Sequence, residues 1–175
     1  MASMTFAYPS PLFPALAAML HDPGKLGWFY SATAVGAFMG SLTSSWTHKV
    51  ARHGRAITIA AFIWCLGIFA FGLTDDFYLW IFFLGLAGWA DMISAIFRST
   101  IWNETIPEDF RGRLASVEMI SYSSGPLLGN TFMGILSEEI GFHRALMAGG
   151  LFGGIMVLAL GFGIRNFWKY SAVRE

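Results

Sequence analysis

The stretch FYLWIFFLGLAGWADMISAIFRSTIW, residues 77–102, carries only two charged side chains, Asp91 and Arg98. Hydrocarbon about 30 Å thick takes roughly 20 apolar residues of helix to cross, so this run is long enough and apolar enough to be a transmembrane helix. Read outward from it, the chain shows five more such runs, and the predicted spans are 1–20, 27–47, 56–73, 77–102, 114–137 and 145–168. The breaks are short and hold turn chemistry or charge: His21-Asp22-Pro23-Gly24-Lys25, His48 through Arg55, Thr74-Asp75-Asp76, Asn103 through Arg113, and Glu138 through Arg144. They leave no room for a soluble domain, so 1–175 reads as one six-helix transmembrane unit.

Composition agrees. The 175 residues are 55% hydrophobic and 13% charged, where a soluble domain carries about 25% charge. Eleven basic side chains balance eleven acidic ones, which leaves no electrostatic footprint for nucleic acid. The single cysteine, Cys65, lies in an apolar run and excludes both a disulfide framework and a cysteine metal cluster. Twenty glycines and 17% aromatics suit close-packed membrane helices with aromatic belts.

Lys and Arg in alternate breaks set the orientation, because short cytoplasmic loops are enriched in them. One side has Lys25 and Arg144; the other has Lys49, Arg52, Arg55, Arg111, Arg113, Arg165, Lys169 and Arg174. Eight against two puts both termini in the cytoplasm. Trp28, Trp46, Trp102 and Trp168 sit near span ends as interfacial anchors. The first span reads as a membrane helix rather than a signal peptide, since it lacks a basic flank and Pro9, Pro11 and Pro14 interrupt it. Met1 already lies in apolar sequence, so the chain reads as a piece of something longer.

Ionisable groups at membrane depth mark pathways or relays. In the fourth span Asp91, Ser94, Arg98 and Trp102 recur at helical spacing, and in the fifth Glu118, Ser121, Tyr122, Gly125 and Gly129 do the same. By helical rise, Arg98 and Glu118 each lie about 6 Å inside the same boundary, which predicts an ion pair that is structural or gating. Direct contact with an anionic substrate is the other reading. Asp91 lies about 10 Å deeper than Arg98 along the axis, with no cation at its own level. Desolvation favours the neutral form of a carboxyl, so Asp91 is the candidate proton carrier; a structural carboxyl hydrogen-bonded to Ser or Trp is the alternative. Trp89, Ser94, Tyr122 and Asn130 are candidates for lining a substrate path. Gly125-Pro126-Leu127-Leu128-Gly129 can bend the fifth span, since a mid-span proline removes a backbone hydrogen bond, and Gly36/Gly40 and the 149–154 glycines have the small-xxx-small spacing for close helix contact.

Catalysis has little to work with. His21, His48, His53 and His143 fall in the predicted loops, which denies a membrane serine nucleophile its base. Asp91 has no second aspartate beside it in a span. Phosphate-cradling glycine motifs and metal constellations are absent from the sequence, and no cofactor is implied.

Two further sets of residues carry a family likeness. Ala90-Asp91-Met92-Ile93-Ser94 through Phe97-Arg98-Ser99-Thr100, with Trp102-Asn103, Thr105-Ile106-Pro107 and Arg111-Gly112-Arg113, resembles the enterobactin-exporter branch of the major facilitator superfamily, as does Ser121-Tyr122-Ser123-Ser124-Gly125-Pro126 with Gly129-Asn130. The resemblance implies an all-α polytopic fold, here spans seven to twelve of a twelve-span transporter, in the bacterial inner membrane with a cytoplasmic C-terminus. It implies a proton-coupled exporter of a small amphiphilic molecule such as a siderophore, an antiporter rather than an enzyme. Its partners would be the bilayer, the substrate, and either the missing six N-terminal spans or a second copy. Arg52-His53-Gly54-Arg55 resembles the end of the family's cytoplasmic loop signature, through Arg52, Gly54 and Arg55, but Ala51 stands where its aspartate is expected. Gly125 to Gly129 is similar to the family's antiporter motif, with Ser121 replacing the upstream glycine. The alternative is a six-span assembly partner or an inactive truncated product that does not transport.

Overall fold

The computed structural model describes residues 9–163, apart from the side chains of residues 108, 109, 111, 113, 118, 121 and 122. Every regular element among the described residues is helical. A 3-10 turn, Ser10–Leu12, leads into α1 (Phe13–Met19); α2 (Lys25–Leu42) runs on into a 3-10 stretch, Thr43–Lys49; then come α3 (His53–Gly72), α4 (Phe77–Thr105), α5 (Glu108–Ile140) and α6 (Phe142–Gly163). By length and composition α3, α4 and α6 can each cross a membrane, while Ser10–Met19, the described part of the predicted first span, is a shorter apolar helix. The sixth predicted span keeps its place as α6, except that residues 164–168 lie outside the described residues, as do 1–8 of the first.

The helix starts follow local chemistry. Asp76 caps α4, its carboxylate accepting from the backbone N–H groups of Tyr78 and Leu79 at 2.9 and 3.0 Å, which satisfies two of the orphan donors of a first turn. The indole of Trp80 donates back to Thr74 O at 2.6 Å and closes the loop. Gly141 alone separates α5 from α6 and sits at φ 84°, a backbone state that side chains rarely adopt. Residues 103–113, expected as a loop, are helical except at Ile106 and Pro107, which are extended or nearly so. Proline pushes its predecessor out of the helical region and is itself tolerated where a helix begins. The charges around it end the hydrocarbon span without ending the helix. At 29 and 33 residues, α4 and α5 are about 44 and 50 Å long, well beyond a core of about 30 Å.

α4 is the central element, packed against α2 on one side and α3 on another, while α3 also packs on α6. α5 lies along α6 and the turn before α1. Near the start of α4 an aromatic core joins Phe13, Phe29, Phe71 and Trp80, with ring centroids 5.6 to 6.2 Å apart. Toward its other end Ala60, Ile93 and Phe97 form a second, smaller core.

Glycine sets the α2–α4 distance. A methyl group added to Gly36 would run into the backbone of Gly85, and one added to Gly88 into the backbone of Thr33. Gly150 plays the same part between α6 and α3, where a Cβ would stand 2.7 Å from Phe69 N. Outward faces, by contrast, are apolar and open: Val35 and Phe38 on α2, Ile59 and Leu66 on α3, Leu151 and Ile155 on α6 are all roughly half exposed or more, as helices that meet lipid or another bundle are.

Candidate functional site

The polar residues of α4 do not form one stripe. Asp91 is exposed and Arg98 partly buried, whereas Ser94 between them is fully covered. Ser94 belongs to the packing layer beside Ile93 and Phe97, and its hydroxyl finds no hydrogen-bond partner among the described residues. Asp91 and Arg98 meet instead: Arg98 Nη2 donates to Asp91 Oδ1 at 3.4 Å. Two helical turns separate their Cα atoms, about 10 Å of rise, but helical side chains lean toward the N-terminus and arginine is long. The expectation that Asp91 has no cation at its level is therefore corrected: rise was counted and reach was not. The Asp91 side chain is 51% exposed and that of Arg98 20%, so among the described residues the pair is open on the carboxylate side.

The side chains of Glu118 and Tyr122 lie outside the described residues, and the Arg98–Glu118 pair with them. α5 carries Gly125, Pro126 and Gly129 as one continuous helix through the proline. Gly129 is buried, and half-buried Asn130 holds an Oδ1 atom without a hydrogen-bond partner among the described residues.

Trp89 belongs to another face. Its indole N–H donates to Thr43 Oγ1 at 2.9 Å, where α2 passes into its 3-10 extension. The Thr43 hydroxyl in turn donates to Met39 O at 2.7 Å, so the indole is held by a group that is itself fixed. Below it, the Phe97 ring packs between Trp46, at 6.1 Å, and His53, at 5.4 Å. Buried His53 opens α3 and points Nδ1 toward Glu104 Oε2, 3.9 Å away on α4. Arg52 is the exposed N-cap of α3, Gly54 is buried, and Arg55 is half-buried; the basic motif thus straddles a helix start rather than hanging in a loop. At the opposite end of the molecule His143 Nε2 lies 2.9 Å from Asp75 Oδ1, close enough for an ion pair but misaligned for a hydrogen bond.

Thr43 and Glu104 were not singled out from the sequence, and His53, expected in a loop, instead opens α3 as a buried residue. Tryptophan's need for an acceptor was a usable signal for a Thr43-type partner, although only the α2–α4 packing identifies which hydroxyl. No cluster of metal-ligating side chains occurs among the described residues. What the α4 surface offers chemically is an exposed carboxylate and a partly buried guanidinium 3.4 Å apart.

Residues 1–170 match the family profile described as Major Facilitator Superfamily. Curated relatives named Enterobactin exporter EntS are similar: that of Citrobacter koseri is 30% identical over 124 residues, covering 70% of this chain and 30% of its own. That of Escherichia coli O9:H4 is 28% identical over 160 residues, covering 89% of this chain and 38% of its own, and that of Shigella flexneri is 28% identical with 39% of its own length covered. The chain thus spans between three and four tenths of the length of these relatives. No solved structure matches it.

Proposed function

The chain belongs to the major facilitator superfamily, and from that premise we propose that it supplies the six C-terminal spans of a proton-coupled exporter for a small amphiphilic molecule such as a siderophore. The single observation that carries the reading is the likeness to enterobactin exporters over 89% of this chain. The family points to a transporter rather than an enzyme. The bacterial inner membrane is the compartment implied, and the excess of Lys and Arg on one side supports a cytoplasmic C-terminus.

The Asp91–Arg98 pair is the proposed coupling element. In this proposal the Asp91 carboxylate holds the guanidinium along α4 at 3.4 Å, and a proton delivered to Asp91 weakens that contact and shifts Arg98 toward α5, where Glu118 is the proposed gate partner. Proton binding would thereby bias which pairing exists, and rocking of one half against the other would follow in the manner of inverted-repeat transporters. Tyr122 and Asn130 on α5 are the proposed path-lining groups; Trp89, held on the α2 side by Thr43, is not among them. Nor is Ser94, being fully covered.

Deleting the gene in a siderophore-producing host tests the substrate. The proposal expects the catecholate to accumulate inside the cells and to be exported again when the full-length protein is restored. Unchanged export, with the protein shown to be present before deletion, favours the second reading, a non-transporting six-span partner, which the short coverage of the exporters' own length keeps open.

A further inference from the structure

Beyond Leu42, α2 tightens into a 3-10 helix over Thr43–Lys49, seven residues of a geometry whose runs seldom exceed three or four. Thr43 to His48 include no strong helix former, and their hydroxyls turn back on the main chain. Thr43 Oγ1 donates to Met39 O at 2.7 Å, Ser44 Oγ to Ser41 O at 2.6 Å and Thr47 Oγ1 to Ser44 O at 2.7 Å. Hydroxyls that bond carbonyls three or four residues earlier loosen and bend a helix.

The two ends of the stretch are held differently. Upstream, α2 is locked on α4: a Cβ at Gly40 would stand 2.9 Å from Trp89 O, and the Trp89 indole donates to Thr43. Downstream, Val50 is extended, and the chain stays out of a helix until α3 begins at His53. In between, Ser45, Trp46, His48 and Lys49 are exposed. The described ring contact of the stretch is Trp46 on Phe97, 6.1 Å between centroids, and buried His53 packs on that same Phe97 ring at 5.4 Å.

We infer that Thr43–Lys49 is a two-state segment, 3-10 in this structure and α-helical in a second state, with Trp46 on Phe97 as the contact that holds the first. An α-helix rises 1.5 Å per residue with 3.6 residues per turn, against about 2.0 Å and 3.0 in a 3-10 helix, so rewinding seven residues shortens the stretch by about 3.5 Å and turns its end by about 140°. Trp46 swings by about 80° and leaves Phe97. Residues 50–52 carry the pull to the start of α3, where His53 touches the ring that Trp46 has left. The position of the α2–α3 connection is thereby set by the winding of α2, above a pivot that the glycine contacts with α4 keep fixed.

Double electron–electron resonance on the full-length protein tests this, with spin labels at His48→Cys and Tyr78→Cys, both exposed positions, in a background without other cysteines. Rewinding draws position 48 in by about 3 Å and turns it by about 120°, so each state gives its own narrow distance. The 3-10 distance should be the main population when the stretch is otherwise unsubstituted. Trp46→Ala, which removes the Phe97 contact, and Ser44→Ala/Thr47→Ala, which removes two back-bonds and adds the best helix former, should each raise the second population about threefold or more. The alanine pair leaves Trp46 in place and decides the matter if Trp46→Ala fails to fold. Trp46→Phe keeps a ring for Phe97 and should leave the populations as they were. One distance common to all variants overturns the proposal; so does a broad spread in place of a second narrow distance, which would mean unwinding rather than rewinding. These distances are read without transport, so a failed export assay counts against the proposed function and not against the two-state segment.

Discussion

Asp91 is the residue on which the account turns. It faces outward, and its only described partner is Arg98 on the same helix. Asparagine keeps the shape of the side chain and removes its charge, so the exchange separates a packing role from a proton-carrying one. Asp91→Asn is expected to leave the amount of protein in the membrane unchanged while lowering proton-driven export at least tenfold, measured as efflux normalised to protein. If Arg98→Ala instead abolishes insertion and Asp91→Asn leaves export intact, the stripe only specifies packing. Trp89→Phe makes a separate test: it removes one hydrogen bond at 2.9 Å and keeps most of the ring, so thermal unfolding in detergent should show a loss of about 0.5–1.5 kcal/mol, while Thr43→Val should cost a similar amount and the double variant less than the sum. The sequence disclosed that Asp91 and Arg98 were unusual because charge in an apolar run is conspicuous. It did not disclose their contact, since spacing reports Cα rise and not the reach of a long side chain.

Among the elements, the α2–α4 contact is the most constrained. Gly36 and Gly88 let the two backbones touch, and a side chain there cannot be absorbed by a rotamer change because the obstacle is main chain. Gly88→Val is expected to separate the helices and to cost more than the about 1–3 kcal/mol of an ordinary overpacked core position, read as loss of the monodisperse peak in size-exclusion chromatography. Gly27→Val, at a glycine whose surroundings are open, should leave that peak unchanged. The glycine spacing on α2 was legible beforehand, because small residues four apart have one common use in membranes; the partner positions on α4 were not, because they depend on which helices adjoin. Helix ends were the least legible part. Charged residues 103–113 look like a loop when hydrophobicity is the only guide, yet a helix need not stop where the lipid does, and only Ile106 and Pro107 interrupt it. Asp76 was the better-signalled boundary, and Asp76→Ala should cost about 1 kcal/mol through the lost cap, checked in the same unfolding assay.

At the scale of the molecule, an all-helical polytopic membrane protein of the major facilitator superfamily was legible from six apolar runs and the motifs of the fourth and fifth. The substrate was not, because one fold serves many cargoes and a central cavity is built from two halves. The open side of α4 and the apolar face of α5, where Met119, Ile120, Leu127 and Leu128 are well exposed, present apolar surface of the kind that meets lipid or a partner. The most direct test is efflux from proteoliposomes that contain the full-length protein and a catecholate siderophore, with an imposed proton gradient. Release is expected to follow the gradient, to collapse with a protonophore and to be lost in Asp91→Asn. Release that ignores the gradient, or an Asp91→Asn protein that exports as the wild type does, would contradict it.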